Sequence, residues 1–223
     1  MIIDWAQIDT VLLDMDGTLL DLHYDNFYWV EYLPRLYAEK HDMGLEAAKL
    51  SLEAQLAAKF GQLEWYCTDY WSEQFGINIA KTKADEKVAK KIAFRPYAEE
   101  FLLSLRQMGK AVWLLTNAHR DVLDIKCQSL DIATHFERLI SSHDFGFSKE
   151  HPNFWQRLQQ QFPLDLKRSL FVDDSLPILR MAQQCGVAHL RAIRQPDSQK
   201  SIKNTEEFET LELDMFVKKK GSS

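Results

Sequence analysis

The stretch 11–21, which reads VLLDMDGTLLD, constrains this chain more than any other. Its apolar start, ended by turn-forming residues, is typical of a buried parallel strand. Because side chains two positions apart in an extended chain point to the same side, Asp14 and Asp16 are predicted to face one point just beyond the strand. Gly17 lets the backbone turn there without a side-chain clash. Open α/β sheets bind ligands at the carboxyl ends of their strands, so the stretch predicts a site as well as a strand.

Two carboxylates this close together repel each other, and their removal from water is costly. A cation offsets both costs, and oxygen ligands of this kind suit Mg²⁺. One carboxylate could then attack a substrate as a nucleophile while the other moves a proton. The alternative is a pair of solvated aspartates in a turn. The apolar strand before Asp14 and the Gly-Thr pair after Asp16 favour the site.

The rest of the chain shows two successive patterns. Residues 23–94 have helical periodicity and no convincing strand. From residue 95 onwards, helices alternate with short apolar strands, which predicts right-handed crossovers and an α/β fold with a three-layer, Rossmann-like core around a parallel sheet. We therefore expect a core formed by 1–22 and 95–216, an inserted α-helical cap over 23–94, and a disordered tail over 217–223.

The individual elements follow from the same periodicities. The predicted strands are 11–13, 111–115, 139–140, 169–172 and 187–190. In the cap, helices are predicted over 26–40, 45–60 and 63–75, and Thr82 resembles the start of another because an acidic residue follows three positions later. Pro34 is predicted to kink or start a helix.

Composition limits the class of protein. The chain has 223 residues, of which 46% are hydrophobic and 27% are charged, an ordinary balance for a globular protein. A net charge of -6 argues against a nucleic-acid binder, which needs a basic face. The amino terminus has no signal-peptide pattern, and no apolar run approaches the ~18 residues that span a membrane. We expect no membrane and no nucleic-acid partner.

The three cysteines, Cys67, Cys127 and Cys185, are far apart and form no CxxC pair. An odd number at such spacing predicts neither a disulfide framework nor a zinc site. Free thiols are typical of a reducing compartment, so a cytoplasmic location is expected.

Three further polar signals follow predicted strands or the loops beyond them. Thr116 and Asn117 could bind a phosphate at a helix amino terminus, or simply cap that helix. Lys149 could offset the charge of a phosphoryl group, or be one exposed lysine among many. Asp173 and Asp174 could complete a Mg²⁺ site, or cap a helix with solvated charge.

The order of these signals resembles the four motifs of the haloacid dehalogenase superfamily of phosphatases. DMDGTLLD matches the first motif, DxDGTLxD, and the resemblance covers about residues 8–195. It implies that Asp14 is the nucleophile that becomes an aspartyl-phosphate. It also implies that Asp16 protonates the leaving alcohol and then activates water, and that Asp14 and the Asp16 backbone carbonyl bind Mg²⁺. The presence of Asp16 argues for phosphoryl transfer over carbon–halogen hydrolysis, because the dehalogenases lack this second aspartate.

The resemblance implies roles for the later motifs too. Thr116, with Asn117 beside it, and Lys149 would hold the phosphoryl group. Asp174 would be a metal ligand, with Asp173 beside it.

One departure concerns the last motif. Many members have Gly-Asp, three residues and a further Asp, whereas this chain has Asp173 in place of the glycine and Ile178 in place of the later aspartate. Adjacent-Asp versions of the motif also occur. The departure leaves open whether Asp173 or Asp174 contacts the metal directly.

The predicted cap is rich in aromatic residues, which either pack the cap or stack on a nucleobase. The stretches DMDGTLLDLHYDNFYW and FGFSKEHPNFWQRL resemble bacterial purine nucleotidases that act on GMP and IMP. The expected substrate is therefore a small phosphorylated metabolite, first of all a purine nucleoside 5′-monophosphate. His23 and Asp25 are interpreted as solvated loop residues rather than contacts of the leaving group. A homodimer is one oligomeric state that the sequence leaves open.

Other functions remain open at this point. The nearest is a sugar-phosphate or phosphoglycolate-type phosphatase, or a phosphomutase with the same chemistry. A phospho-accepting signalling domain also uses clustered Asp, Thr and Lys residues, but the helical insertion and the DxDGT motif at the first strand argue against it. A binding protein that has lost catalysis is disfavoured by the complete set of acidic and basic residues.

Overall fold

The computed structural model describes residues 3–216. Five parallel strands form one sheet in the order β3-β2-β1-β4-β5. They are β1 (Thr10–Leu13), β2 (Ala111–Thr116), β3 (Arg138–Ser141), β4 (Ser169–Asp173) and β5 (His189–Ala192). All five strands were predicted, although β5 begins later than expected, at His189. The predicted tail over 217–223 lies outside the described residues.

The central strand β1 is buried on both faces of the sheet. Val11 and Leu13 pack into one hydrophobic cluster, and Leu12 packs into a second cluster on the opposite face. This alternation follows from the period of two in a strand, and it explains why β1 reads as a continuous apolar run. The predicted three-layer α/β architecture is confirmed.

Four helices cover the two faces of the sheet. The cluster around Val11 includes residues of α7 (Ala98–Gln107) and α8 (Arg120–Ser129). The cluster around Leu12 includes residues of α9 (Pro152–Gln161) and α10 (Leu176–Gln184). Each of the four has an apolar side at helical spacing, which the sequence pattern indicated.

Residues 23–94, which we call the helical insertion, contain six α-helices and none of the five strands. They are α1 (His23–Phe27), α2 (Leu33–Lys40), α3 (Leu45–Ala57), α4 (Thr68–Phe75), α5 (Ile79–Lys83) and α6 (Glu86–Ala89). A π-helical segment, Tyr28–Tyr32, joins α1 to α2, and Pro34 lies in the first turn of α2. Within residues 3–216, no helix is long and apolar enough to cross a membrane.

The predicted helix over 63–75 is interrupted at Cys67. A 3-10 turn, Leu63–Tyr66, precedes the break, and α4 follows it. Cys67 has an extended backbone, and its Sγ accepts a hydrogen bond from the backbone N–H of Tyr70 at 3.4 Å. The thiol therefore caps α4, a role that helical periodicity does not reveal.

The predicted helix start at Thr82 is wrong. Thr82 lies inside α5, which begins at Ile79 after Asn78. The side chain of Asn78 accepts a hydrogen bond from the backbone N–H of Lys81, so Asn78 is the residue that caps the helix. Asp85 instead precedes the next short helix, α6.

Gly17 brings the loop after β1 close to the loop after β4. Its φ is +82°, a conformation that favours glycine, and an added Cβ would lie 2.8 Å from Cβ of Pro196 and 2.9 Å from Cγ of Asp174. The site beyond β1 therefore needs glycine for its backbone conformation and for the close approach of the Asp174 side chain.

The buried face of α7 provides a test of the core. Leu105 is fully buried and Leu103, two residues earlier in the same helix, is 46% exposed. We expect Leu105→Ala to lower the free energy of unfolding by about 2–5 kcal/mol, because it leaves a cavity under the sheet. Leu103→Ala is expected to change it by less than about 0.5 kcal/mol. Urea denaturation of both variants checks this, and equal losses would contradict the assignment of the two faces.

Gly17 and Gly61 form a matched pair. Both have positive φ, +82° and +77°, but nothing lies within 4 Å of a Cβ built at Gly61. Gly61→Ala is expected to cost about 1–2 kcal/mol of stability through backbone strain alone. Gly17→Ala is expected to cost about 1–3 kcal/mol more, because Pro196 and Asp174 must move. Equal thermal and urea stability of the two variants would rule out the steric part of this explanation.

Candidate active site

Asp14 lies just beyond the end of the central strand. Its backbone N–H donates to the carbonyl of Val172 at 3.0 Å, so the ladder between β1 and β4 extends to this residue. The Asp14 side chain is buried, and burial raises its pKa to about 6. The strand thus holds a carboxylate away from water at the edge where a parallel sheet binds ligands.

Lys149 joins two of the predicted aspartates. Its Nζ lies 2.6 Å from Oδ1 of Asp14 and 2.7 Å from Oδ2 of Asp173, and it also donates to the carbonyl of Leu115 at 3.0 Å. Burial alone would lower the pKa of Lys149, but the two carboxylates outweigh it and raise the pKa. The interpretation of Lys149 as one exposed lysine among many is wrong, because its side chain is almost fully buried.

The backbone of Lys149 is fixed by two side chains. Oδ1 of Asn117 accepts from its N–H at 2.9 Å, and Nε1 of Trp155 donates to its carbonyl at 2.9 Å. Nδ2 of Asn117 donates to Glu150, which also accepts from the hydroxyl of Tyr66 in the helical insertion. Asn117 therefore ties the loop after β2 to the lysine loop. Sequence reasoning missed Glu150 and the contact that Tyr66, one of the cap aromatics, makes with it.

Thr116 ends β2 and is buried. Its Oγ1 accepts a hydrogen bond from the N–H of Ala118 at 3.0 Å. The hydroxyl proton is left to donate, in a cavity that Asp14 and Lys149 also line. Thr116 thus serves as a local cap and still presents a donor towards the candidate site.

Three carboxylates converge at this point. One oxygen each of Asp14, Asp173 and Asp174 lie within 4.8 Å of one another. Burial raises the pKa of each to about 6, and mutual repulsion adds to the effect. Lys203, which bonds to Asp174, and Lys149 offset part of this charge. A buried set of oxygen ligands with excess negative charge fits a hard divalent cation such as Mg²⁺.

Asp16 belongs to a different ionic network, which reaches into the helical insertion. Nζ of Lys126, in α8, lies 2.5 Å from Oδ1 of Asp16 and 2.7 Å from Oδ2 of Asp25. Nζ of Lys83, in α5, lies 2.5 Å from Oδ1 of Asp25. Both lysines are fully buried. This chain of charges connects the loop after β1 to two helices of the insertion.

The interpretation of Asp25 as a solvated loop residue is wrong. It lies in α1 and is held between two buried ammonium groups. Although burial acts in the opposite direction, the charges of Lys126 and Lys83 lower its pKa. His23 is also helical and lies 3.9 Å from Asp197.

Sequence reasoning missed both lysines, yet each carried a signal. Lys126 follows the buried residues Val122 and Leu123 at helical spacing, and Lys83 follows the buried Ile79 by one turn. A lysine on the apolar side of a helix is almost never left unpaired, so its position predicts a buried acidic partner.

A cavity of about 770 Å³ lies between the sheet and the helical insertion. Its floor includes the predicted site residues, Asp14, Asp16, Thr116, Asn117, Lys149, Asp173 and Asp174. Its walls include aromatic residues of the insertion, Trp29, Phe60, Trp65 and Tyr66. Other aromatics of the insertion, such as Trp71 and Phe75, are buried in its packing. Ile178 also lines the cavity and adds an apolar side chain to the wall.

Comparisons with known proteins find similar sequences and similar folds. The GMP/IMP nucleotidase YrfG of Escherichia coli K12 is 37% identical over 196 residues, which cover 88% of this chain and 87% of that protein. A HAD phosphatase from Thermococcus onnurineus superposes with a TM-score of 0.75 and 18% identity, over 93% of this chain and 96% of the other.

A further solved structure comes from Bacteroides thetaiotaomicron. It is an Asp-to-Ala mutant of a HAD family enzyme in complex with magnesium and inorganic phosphate. It has a TM-score of 0.57 and 16% identity, over 84% of this chain and 95% of the other. The sequence model of the haloacid dehalogenase-like hydrolases matches residues 8–186. The chain belongs to the haloacid dehalogenase-like hydrolase family.

Proposed function

We propose that this chain is a Mg²⁺-dependent phosphomonoester hydrolase that works through an aspartyl-phosphate on Asp14, and that its substrate is a purine nucleoside 5′-monophosphate such as GMP or IMP. The observation that carries the proposal is the 2.6 Å contact between Asp14 and Lys149, at the floor of a cavity that Asp173 and Asp174 share. The 37% identity to a GMP/IMP nucleotidase supports the substrate class.

The metal would be held by Asp14, Asp174 and the backbone carbonyl of Asp16. Both oxygens of Asp173 are already engaged, with Lys149 at 2.7 Å and with the N–H of Ser175 at 2.7 Å. We therefore assign Asp174 as the direct ligand and Asp173 as the residue that orients Lys149. When bound, Mg²⁺ would neutralise the phosphoryl oxygens and position the group for attack.

The side chains of this chain would then carry the two steps. In the first, a carboxylate oxygen of Asp14 bonds to phosphorus, the ester P–O bond breaks, and the leaving oxygen takes a proton from Asp16. In the second, Asp16 takes a proton from water, the water oxygen bonds to phosphorus, and the bond to Asp14 breaks. Lys126, at 2.5 Å, would keep Asp16 oriented for both transfers.

The charge of Lys149 would offset that of the phosphoryl oxygens, and Thr116 would donate a hydrogen bond to them. The three donors of Lys149 contact Asp14, Asp173 and the Leu115 carbonyl, so its charge is already placed beside the nucleophile. The hydroxyl of Thr116 would donate its proton, and the backbone N–H of Asn117 would add a donor at the start of the loop. Preplaced donors of this kind stabilise the developing charge during transfer.

The helical insertion would act as a cap that encloses the rest of the substrate. Its division from a core of 1–22 and 95–216 is part of this proposal. The cavity of about 770 Å³ is in the range of ligand pockets, and its aromatic walls suit a flat base.

Removal of the nucleophile tests the mechanism. Asp14→Asn is expected to remain folded and to lose about 10³-fold or more in phosphate release, because the covalent route is lost. Asp131→Asn, at an exposed aspartate, is the matched control and is expected to keep normal turnover. Phosphate release is followed with both proteins at equal concentration. Near-normal turnover by Asp14→Asn would refute the assignment.

A substrate panel tests the chemistry and the specificity. Nucleoside monophosphates and sugar phosphates are assayed with Mg²⁺ and with chelator, and both free phosphate and isomeric phosphates are measured. We expect GMP and IMP to be hydrolysed fastest and chelator to stop turnover. Isomeric products would indicate a mutase, and turnover that is indifferent to chelator would exclude the metal site.

A further inference from the structure

A second group of metal-ligand side chains lies apart from the carboxylates, and two of its three members are next in sequence to residues that line the cavity. It consists of Cys67 in the helical insertion, His119 just before α8, and His143 in the 3-10 turn after β3. One ligand atom of each residue lies within 4.8 Å of the other two. The spacing of the three cysteines in the sequence predicted no zinc site. Cys67, His119 and His143 are far apart in the sequence and come together only in the folded protein.

His143 has a ring nitrogen that is available to a metal. Its Nε2 is buried and has no hydrogen-bond partner within residues 3–216. When the proton of the neutral ring is on Nδ1, the lone pair on Nε2 is free, and this is the form in which histidine binds metals.

His119 is oriented by neighbouring oxygens, as metal-binding histidines usually are. Its Nδ1 lies 2.9 Å from the hydroxyl of Thr68 and 3.4 Å from the carboxylate of Asp121. Its Nε2 lies 3.7 Å from Oδ2 of Asp69, which is exposed and free to approach. The rings of His119 and His143 meet edge to face, with centroids 4.8 Å apart.

Cys67 is placed by the break before α4. It is a free, half-buried thiol whose Sγ accepts from the N–H of Tyr70. That hydrogen bond holds the sulfur at the end of the helix that faces the two histidines. A set of one sulfur and two imidazole nitrogens suits Zn²⁺ and related divalent transition metals rather than Mg²⁺.

We propose that Cys67, His119 and His143 bind one Zn²⁺-class ion, with Asp69 as the fourth ligand. Binding forms a Zn–S bond and releases the thiol proton to solvent. Because Cys67 belongs to the helical insertion and both histidines belong to the sheet side, the bound ion joins the two. It therefore restrains opening of the cavity and slows turnover.

The site is tested by Co²⁺ titration of the protein in a large excess of Mg²⁺, which competes for the carboxylates. The wild-type protein is expected to take up one equivalent with a thiolate-to-cobalt charge-transfer band. Cys67→Ser is expected to lose the band, because it removes the sulfur, while the serine oxygen can accept the hydrogen bond that caps α4. Cys185→Ser, at a half-buried cysteine in another part of the fold, is the control that keeps the band. A wild type without the band, or a Cys67→Ser protein with it, overturns the site.

His143→Gln supplies a second, independent variant. This variant keeps Cys67 but lacks one imidazole ligand. We therefore expect it to lose the spectrum that wild-type protein shows with one equivalent of Co²⁺. An unchanged spectrum would remove His143 from the site and overturn the proposed ligand set.

The restraint on turnover rests on the proposed phosphatase function and is measured separately. Zn²⁺ is added to Mg²⁺-saturated enzyme, and each variant is compared with its own rate without Zn²⁺. We expect inhibition of the wild type and of Cys185→Ser at zinc concentrations that leave Cys67→Ser little affected. Equal inhibition of all three would place the effect at the carboxylates and overturn the restraint. If no phosphate ester is hydrolysed, the proposed function fails, and the Co²⁺ spectra still decide the site.

Discussion

The buried ammonium group of Lys149 is the interaction on which the candidate site depends. It lies between Asp14 and Asp173, which the two neighbouring strands β1 and β4 bring to the same edge of the sheet. Without this cation, two carboxylates would be buried side by side at a cost of several kcal/mol. The lysine therefore stabilises the arrangement and also places a positive charge beside the proposed phosphoryl site. The structural and the proposed chemical role of Lys149 coincide, because both require a positive charge beside the carboxylate oxygens of Asp14 and Asp173.

A second set of buried charges extends this logic to the helical insertion. Lys126 bonds to Asp16 on the sheet side and to Asp25 in α1, and Asp25 bonds in turn to Lys83 in α5. Each ion is paired, as burial requires. The proposed proton-transfer residue is thus held by Lys126, and Lys126 is held in turn by Asp25 of the insertion. The packing of the insertion and the position of Asp16 are linked through this shared lysine.

How far the site was predictable depended on where each residue stands in the chain. Asp14, Asp16, Thr116, Asp173 and Asp174 were predicted because they follow predicted strands or lie in the loops beyond them, and because their order matches the family motifs. Lys149 was predicted from motif order, although its burial was not foreseen. Lys126, Lys83 and Glu150 were missed, because each is paired by a residue at least 33 positions away. The positions of Lys126 and Lys83 on apolar helix sides indicate that each has a partner, but nothing in the local sequence indicates which residue that partner is.

The sequence by itself determined the parallel sheet, the helical character of residues 23–94 and the family motifs, because these depend on local patterns of apolar residues and turns. Only the tertiary structure decided which charges are buried and paired. It also decided where Cys67 interrupts a helix, and that this cysteine meets His119 and His143. The physical reason is that burial and proximity are properties of packed surfaces. Those surfaces come from segments far apart in the chain.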